Sequence, residues 1–205
     1  MMRIVGLTGS IGMGKSTAAA RLRELGIAVF DADAEVHRLY AGPLASRIEA
    51  AFPGTAADGV VDRTKLSAAL LASPHRFKDL EAIVHPRVRD EQRAFLKREV
   101  ERGAANAVLE IPLLLESGLN ARVDATVVVS AGEDVQRARV LARSGMTAEK
   151  LDALLARQTP DAEKRAQADF IVDTSGTVAA CNAQIDVLVR ELEKITPRAY
   201  VAHWL

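Results

Sequence analysis

The stretch Val5-Gly6-Leu7-Thr8-Gly9-Ser10-Ile11-Gly12-Met13-Gly14-Lys15-Ser16-Thr17 decides how this chain is read. Its middle, Gly9 to Ser16, matches G-x-x-x-x-G-K-[ST] at every fixed position. An apolar run precedes it and an amphipathic run follows, the strand and helix that give the pattern its meaning. Glycines let successive backbone N–H groups turn inward around an anion, and the start of the following helix adds its partial positive charge. Lys15 is placed to reach the β- and γ-phosphates of a nucleotide and the Ser16 hydroxyl to ligate Mg²⁺. Thr17 offers the next N–H, and Gly9, Gly12, Met13 and Gly14 complete the cradle.

Outward from this loop, short apolar runs alternate with longer amphipathic ones, the pattern of βαβ units and a parallel sheet. The spacing predicts strands near 3–7, 27–31, 106–111, 124–130 and 169–173. The helix after the loop runs from Lys15 to about Leu25, with Gly26 as its C-terminal cap. From 34 to 103 the text is helical, with turn signals at Gly42-Pro43, Pro53-Gly54 and Ser73-Pro74 and no strand. So long a stretch between two strands reads as a helical insertion rather than one crossover. A helical pair fills 133–167, with Thr147 and Thr159-Pro160 as start signals. It carries Arg137, Arg139, Arg143, Arg157 and Arg165, the makings of a flap over an anion. A final helix spans about 177–194, and the tail 196–205, which holds the only tryptophan, Trp204, has no readable role. The core is thus expected at 1–33, 104–132 and 168–195.

Composition sets the outer limits. At roughly 100–200 residues per domain, 205 residues make one domain or one core with an insertion. With 27 basic and 27 acidic residues the chain has no net charge, whereas proteins that grip long nucleic acid by its phosphates carry a basic excess. No nucleic-acid partner is expected. The single cysteine, Cys181, allows no internal disulfide and no Cys-based zinc site, which suits a reducing, cytoplasmic setting. No apolar run approaches the ~20 residues of a membrane span, and the start is unlike a signal peptide, so no membrane partner is expected either. Nothing in the charge decides the oligomeric state.

Three classes of protein share such a loop. A switch GTPase needs Asn-Lys-x-Asp to read guanine, and that string is absent; the only Asp-x-x-Gly, Asp173 to Gly176, follows the fifth strand. A motor ATPase needs an acidic residue after an apolar strand, a part open to Glu110. A small-molecule kinase needs an acceptor site beyond the carboxyl ends of the strands, where Asp31 and Asp33 fall. Asp33 reads either as the group that receives an attacking hydroxyl or as the N-cap of the next helix, and Asp31 as structural.

Together with the opening segment, Asp31-Ala32-Asp33, His85-Pro86-Arg87-Val88-Arg89 and Ile111-Pro112-Leu113-Leu114-Leu115-Glu116 resemble the dephospho-CoA kinase family, in order and spacing, over nearly the whole chain. The resemblance implies an α/β fold of the P-loop NTPase type, with a five-stranded parallel sheet core, a helical acceptor-binding insertion at 34–103 and a lid at 133–167. It implies ATP as co-substrate, Mg²⁺ as cofactor and phosphorylation of the ribose 3′-hydroxyl of dephospho-CoA, with CoA and ADP as products. It makes Asp33 the base or orienter of that hydroxyl. It puts His37, His85 and Arg89 near the acceptor and Arg143 over the ATP phosphates. Taken alone, His85-Pro86 also reads as a bend opening a helix, Arg89 and Arg143 as solvated helix charges, and His37 as one half of a surface pair with Asp33. Glu110 departs from the Asp common in the family before the proline, and Asp173-Thr174-Ser175-Gly176 from its Asn-bearing form. Another small-molecule kinase of this fold, or a nucleotide-binding regulator without catalysis, remains a second reading.

Overall fold

Apolar runs too uniform for one-sided burial become the strands of a parallel sheet. In the computed structural model, which describes all 205 residues, these are β1 (Arg3–Thr8), β2 (Ala28–Asp31), β5 (Asn106–Glu110), β6 (Ala125–Ser130) and β7 (Phe170–Asp173). Their order is β2-β5-β1-β6-β7. β1 pairs in parallel with β5 (Val5 opposite Val108) and with β6 (Leu7 opposite Val127). β6 is buried at every position, as expected of a strand covered on both faces. All five expected strands are present.

The chain divides into two compact units, Met1–Phe30 with Phe95–Leu205, and Asp31–Ala94. In the first, helix α1 (Lys15–Glu24) buries Ala18, Ala19 and Leu22. It ends as foreseen at Gly26: the Gly26 N–H donates to Arg23 O and the Ile27 N–H to Leu22 O, a Schellman motif. A long helix, α9 (Val178–Leu192), capped by Thr177, contributes Cys181, Ile185, Leu188 and Leu192 to the same core.

The segment 133–167 holds three helices rather than the expected pair: α6 (Glu133–Leu141), α7 (Ala148–Leu155) and α8 (Asp161–Ala166). Thr147 caps α7, as its position suggested, while Pro160 stands at the N-cap of α8 and not inside it.

The tail is structured. Helix α10 (Ala199–His203) is tied down by Asp124, whose carboxylate accepts from the N–H groups of Ile4, Arg198 and Ala199. Trp204 is 3% exposed and its Nε1 donates to Arg122 O at 2.8 Å. Truncation of a buried Trp costs about 3–5 kcal/mol, so Trp204→Ala should lower the urea unfolding free energy by about that amount. A loss under about 1 kcal/mol would mean that the tail adds nothing to the core.

The second unit contains α2 (Ala32–Tyr40), α3 (Ala45–Ala51), α4 (Arg63–Ala72) and the first part of α5 (Phe77–Glu101), which continues from Phe95 into the first unit. Its limits, 31 and 94, differ from the expected 34 and 103 because this one helix belongs to both units. It also has a hairpin, β3 (Ala56–Ala57) with β4 (Val60–Val61), where no strand was expected. Two residues per strand give no readable alternation. The Glu49 carboxylate fixes the bend instead, accepting from the N–H groups of Gly54 and Ala56 at 2.6 Å.

Candidate active site

The loop between β1 and α1 is built as its sequence demands. Gly14, at φ 85°, is the N-cap of α1, and no side chain caps that end. By contrast Asp31, Asp62, Thr147 and Thr177 cap α2, α4, α7 and α9. No side chain therefore competes with an anion for the start of α1. A Cβ on Gly14 would also meet Thr174 Oγ1 at 3.0 Å, and one on Gly12 would meet Val140 Cγ2 at 2.5 Å. Both positions thus need glycine for space as well as for positive φ. The Lys15 ammonium donates to Gly9 O at 2.9 Å, which holds it across the loop.

A cleft of about 420 Å³ opens at this loop, lined by Gly12, Gly14, Ser16 and Thr17, by Arg139 and Arg143, and by Thr174, Gly176, Thr177, Val178 and Cys181. Arg143, exposed, is therefore on the nucleotide loop's own cleft. Arg139, which has no distinguishing signal in the sequence, is too: its guanidinium donates to Thr174 O and, at 3.3 Å, to Thr174 Oγ1. Thr174 Oγ1 in turn donates to Met13 O at 2.8 Å, so the variant loop Asp173-Thr174-Ser175-Gly176 buttresses the cradle. Burial pushes the Cys181 thiol up, which leaves this cleft residue protonated and unsuited to be a nucleophile.

Glu110 ends β5, 7% exposed, with its carboxylate 3.8 Å from Arg23 Nη2 on α1. It faces a fixed partner within the first unit.

The remaining expected residues are on the second unit. Helix α2 begins at Ala32, so the cap is Asp31, whose Oδ1 accepts from the Ala34 N–H at 2.9 Å. Asp33 is an exposed residue of the first turn and not the cap. The cap role, which the sequence left open for Asp33, falls to Asp31. Asp33 and His37 lie one turn apart on α2 and both are exposed. His85 and Arg89 likewise lie one turn apart, exposed, on α5. The bend expected at His85-Pro86 is absent: Pro86 is inside α5. Burial of Val84 and Val88 on either side offsets the hydrogen bond that proline removes. An ion pair of Arg38 with Glu91, 3.1 Å, and with Glu35 ties α2 to α5 beside these four residues.

One buried charge had no signal in the sequence. Lys164 on α8 is 0% exposed, with its ammonium 2.9 Å from Glu116 Oε1, an ion pair without hydrogen-bond directionality. The same oxygen accepts from the Thr159 N–H at 2.7 Å. Burial alone would raise the Glu116 carboxyl, but Lys164 and the Thr159 N–H hold it below the ordinary range. A depressed carboxyl stabilises the fold above its unfolded value of about 4.3, and that contribution disappears as pH falls through the lower folded value. Removing one member of a buried pair costs about 3–5 kcal/mol. Because Glu116 keeps contact with solvent, Lys164→Met should lose less than that at pH 7 in urea unfolding, and adding Glu116→Gln should restore part of it. The gap between Lys164→Met and the unsubstituted chain should narrow below about pH 4. A gap independent of pH would show that the pair is not ionised as described.

A parallel sheet that feeds a G-x-x-x-x-G-K-[ST] loop into an uncapped helix, with two arginines on the cleft, defines a P-loop nucleotide-binding protein. The family model for dephospho-CoA kinase matches residues 3–180. The chain is 55% identical over 197 residues to a dephospho-CoA kinase of Rhodopseudomonas palustris (strain BisB18), covering 96% of this chain and 99% of that protein. The crystal structure of TT1252 from Thermus thermophilus superposes with a TM-score of 0.79 at 36% identity, covering 93% of this chain and 98% of that one. A dephospho-CoA kinase from Campylobacter jejuni shares the fold, with a TM-score of 0.70 at 24% identity over 95% of this chain and 98% of that one. This chain belongs to the dephospho-CoA kinase family.

Proposed function

We infer that the chain transfers the γ-phosphoryl group of ATP to the ribose 3′-hydroxyl of dephospho-CoA and releases ADP and CoA, the last step of coenzyme A biosynthesis. The observation that carries this reading is the Gly9–Ser16 cradle at the uncapped start of α1, in a chain matched to that family from residue 3 to residue 180. In the reaction the 3′-oxygen bonds to the γ-phosphorus, the bond from that phosphorus to the β–γ bridging oxygen breaks, and the hydroxyl proton leaves to a base or to water. The transition state is loose, so placement and charge matter more than proton abstraction.

The roles we assign extend the family resemblance to the matching residues of this chain. Gly9, Gly12, Met13, Gly14, Lys15, Ser16 and Thr17 hold the phosphates, and Lys15 and Arg143 offset the charge spread over the γ-phosphoryl oxygens. Asp33 orients the acceptor hydroxyl and takes its proton late, because a carboxylate is a weak base at neutral pH. His37, His85 and Arg89 bind the acceptor's anionic groups. Glu110 supports the acceptor side from the end of β5 while paired with Arg23.

No group of three His, Cys, Asp or Glu side chains makes a metal cage. The exposed Ser16 hydroxyl at the cleft suits an Mg²⁺ ion that arrives with the nucleotide and completes its shell from phosphates and water. Such an ion would neutralise charge on the β- and γ-phosphates.

The segment 133–167 acts as the lid and 34–103 as the acceptor-binding part. No helix is long and apolar enough to cross a membrane; with its one free cysteine, Cys181, buried, the chain suits the cytoplasm. The test is an acceptor panel, with ADP release measured for dephospho-CoA, shikimate, gluconate and nucleoside monophosphates. Dephospho-CoA should give the highest kcat/KM; a preference for another acceptor would keep the fold and overturn the substrate.

A further inference from the structure

Ile11, third residue of the phosphate loop, is held at both of the peptides that flank it. Its carbonyl accepts from Gln136 Nε2 on α6 at 2.7 Å, and its N–H donates to Gln158 Oε1 at 3.2 Å. Gln136 is buried. Gln158 stands in the turn between α7 and α8, and the turn that follows it is fastened to the sheet. The next N–H, of Thr159, donates to Glu116 Oε1, which also pairs with the buried Lys164. Ser130, the last residue of β6, donates to Asp161 Oδ2 at 2.7 Å. Three contacts thus fix the backbone that presents Gln158.

A phosphate cradle works only while its N–H groups converge, and a single flipped peptide would put a carbonyl dipole where an anion must sit. We propose that Gln158, together with Gln136, is a positioning residue for ATP: the two amides lock the successive peptide planes on either side of Ile11 and so keep the loop in its phosphate-binding form. The Glu116–Lys164 pair sets where Gln158 stands. The idea rests on the nucleotide-binding part of the reading above and not on the acceptor. Neither glutamine needs to touch the nucleotide; both act through Ile11.

The test is direct ATP binding without acceptor, by calorimetry on the full chain, so that the choice of acceptor does not enter. Gln158→Met keeps the length but removes the acceptor oxygen, and Gln136→Met removes the donor. Each should weaken ATP binding about tenfold, the factor that one ordinary hydrogen bond corresponds to. The double variant should be scarcely weaker than either single one, because releasing either of the two peptides beside Ile11 already frees the loop. Gln158→Asn, which keeps the oxygen but falls short by one C–C bond, should match Gln158→Met. The melting temperature without nucleotide should stay within about 2 °C of the unsubstituted chain, which a merely structural role would not predict. Unchanged ATP affinity in both Gln158 variants, or losses that multiply in the double variant, would overturn the inference. Failure of the unsubstituted chain to bind ATP would overturn the nucleotide reading itself.

Discussion

Asp33→Asn should lower kcat for phosphoryl transfer by about a hundred- to ten-thousandfold, the usual worth of a positioned acid or base, while KM for ATP stays near its original value. The side chain keeps its size, so the exposed first turn of α2 is undisturbed and the cap, Asp31, is untouched. The substitution removes the charge that the proposed role requires. An interaction that belongs to the transition state shows in kcat, whereas one made equally in the ground state would show in KM. Steady-state kinetics with each substrate varied separates the two, and near-normal turnover would remove Asp33 from the chemistry.

Lys15→Ala should have an effect of comparable size by another route. The ammonium is the one side-chain cation within the loop itself, held at 2.9 Å from Gly9 O, and it would face the β- and γ-phosphates. Loss of one preorganised donor to developing charge costs about 10²–10³ in kcat, and ATP binding should weaken as well, since the phosphates are charged in the ground state too. Alanine is a good helix former at this first position of α1, so the unliganded melting temperature should change little. Calorimetry and turnover on one preparation check both parts; full activity would mean that the cradle is not the catalytic phosphate site.

The residues that the sequence identified share one property: their signal is local. The glycine loop, five apolar runs and the Gly26 cap each depend on neighbours within a few positions. His37, His85 and Arg89 were legible only through resemblance and Asp33 also from its place at a strand's end, and the structure adds that all four are exposed on two helices joined by Arg38 and Glu91. The confusion of Asp31 with Asp33 as cap came from two capping residues spaced two apart, when strand ends cannot be read that finely. Pro86 misled because burial at Val84 and Val88, which local propensity does not see, holds α5 together.

What sequence could not reveal is pairing over distance. Lys164 looks like a surface lysine until Glu116, far earlier in the chain, is found beside it. Gln136 and Gln158 follow no periodic rule, and only the fold brings both to Ile11. Trp204 gains meaning from Arg122 and Asp124.

The central claim is phosphoryl transfer to one hydroxyl. The most direct measurement incubates the purified chain with Mg-ATP and dephospho-CoA and analyses the acceptor by mass and by ³¹P NMR. The account predicts one added phosphoryl group, on the ribose 3′-oxygen, formed only when chain, ATP and acceptor are all present, with ADP in equal amount. Intact acceptor despite tight ATP binding, or phosphate on any other oxygen, would contradict it.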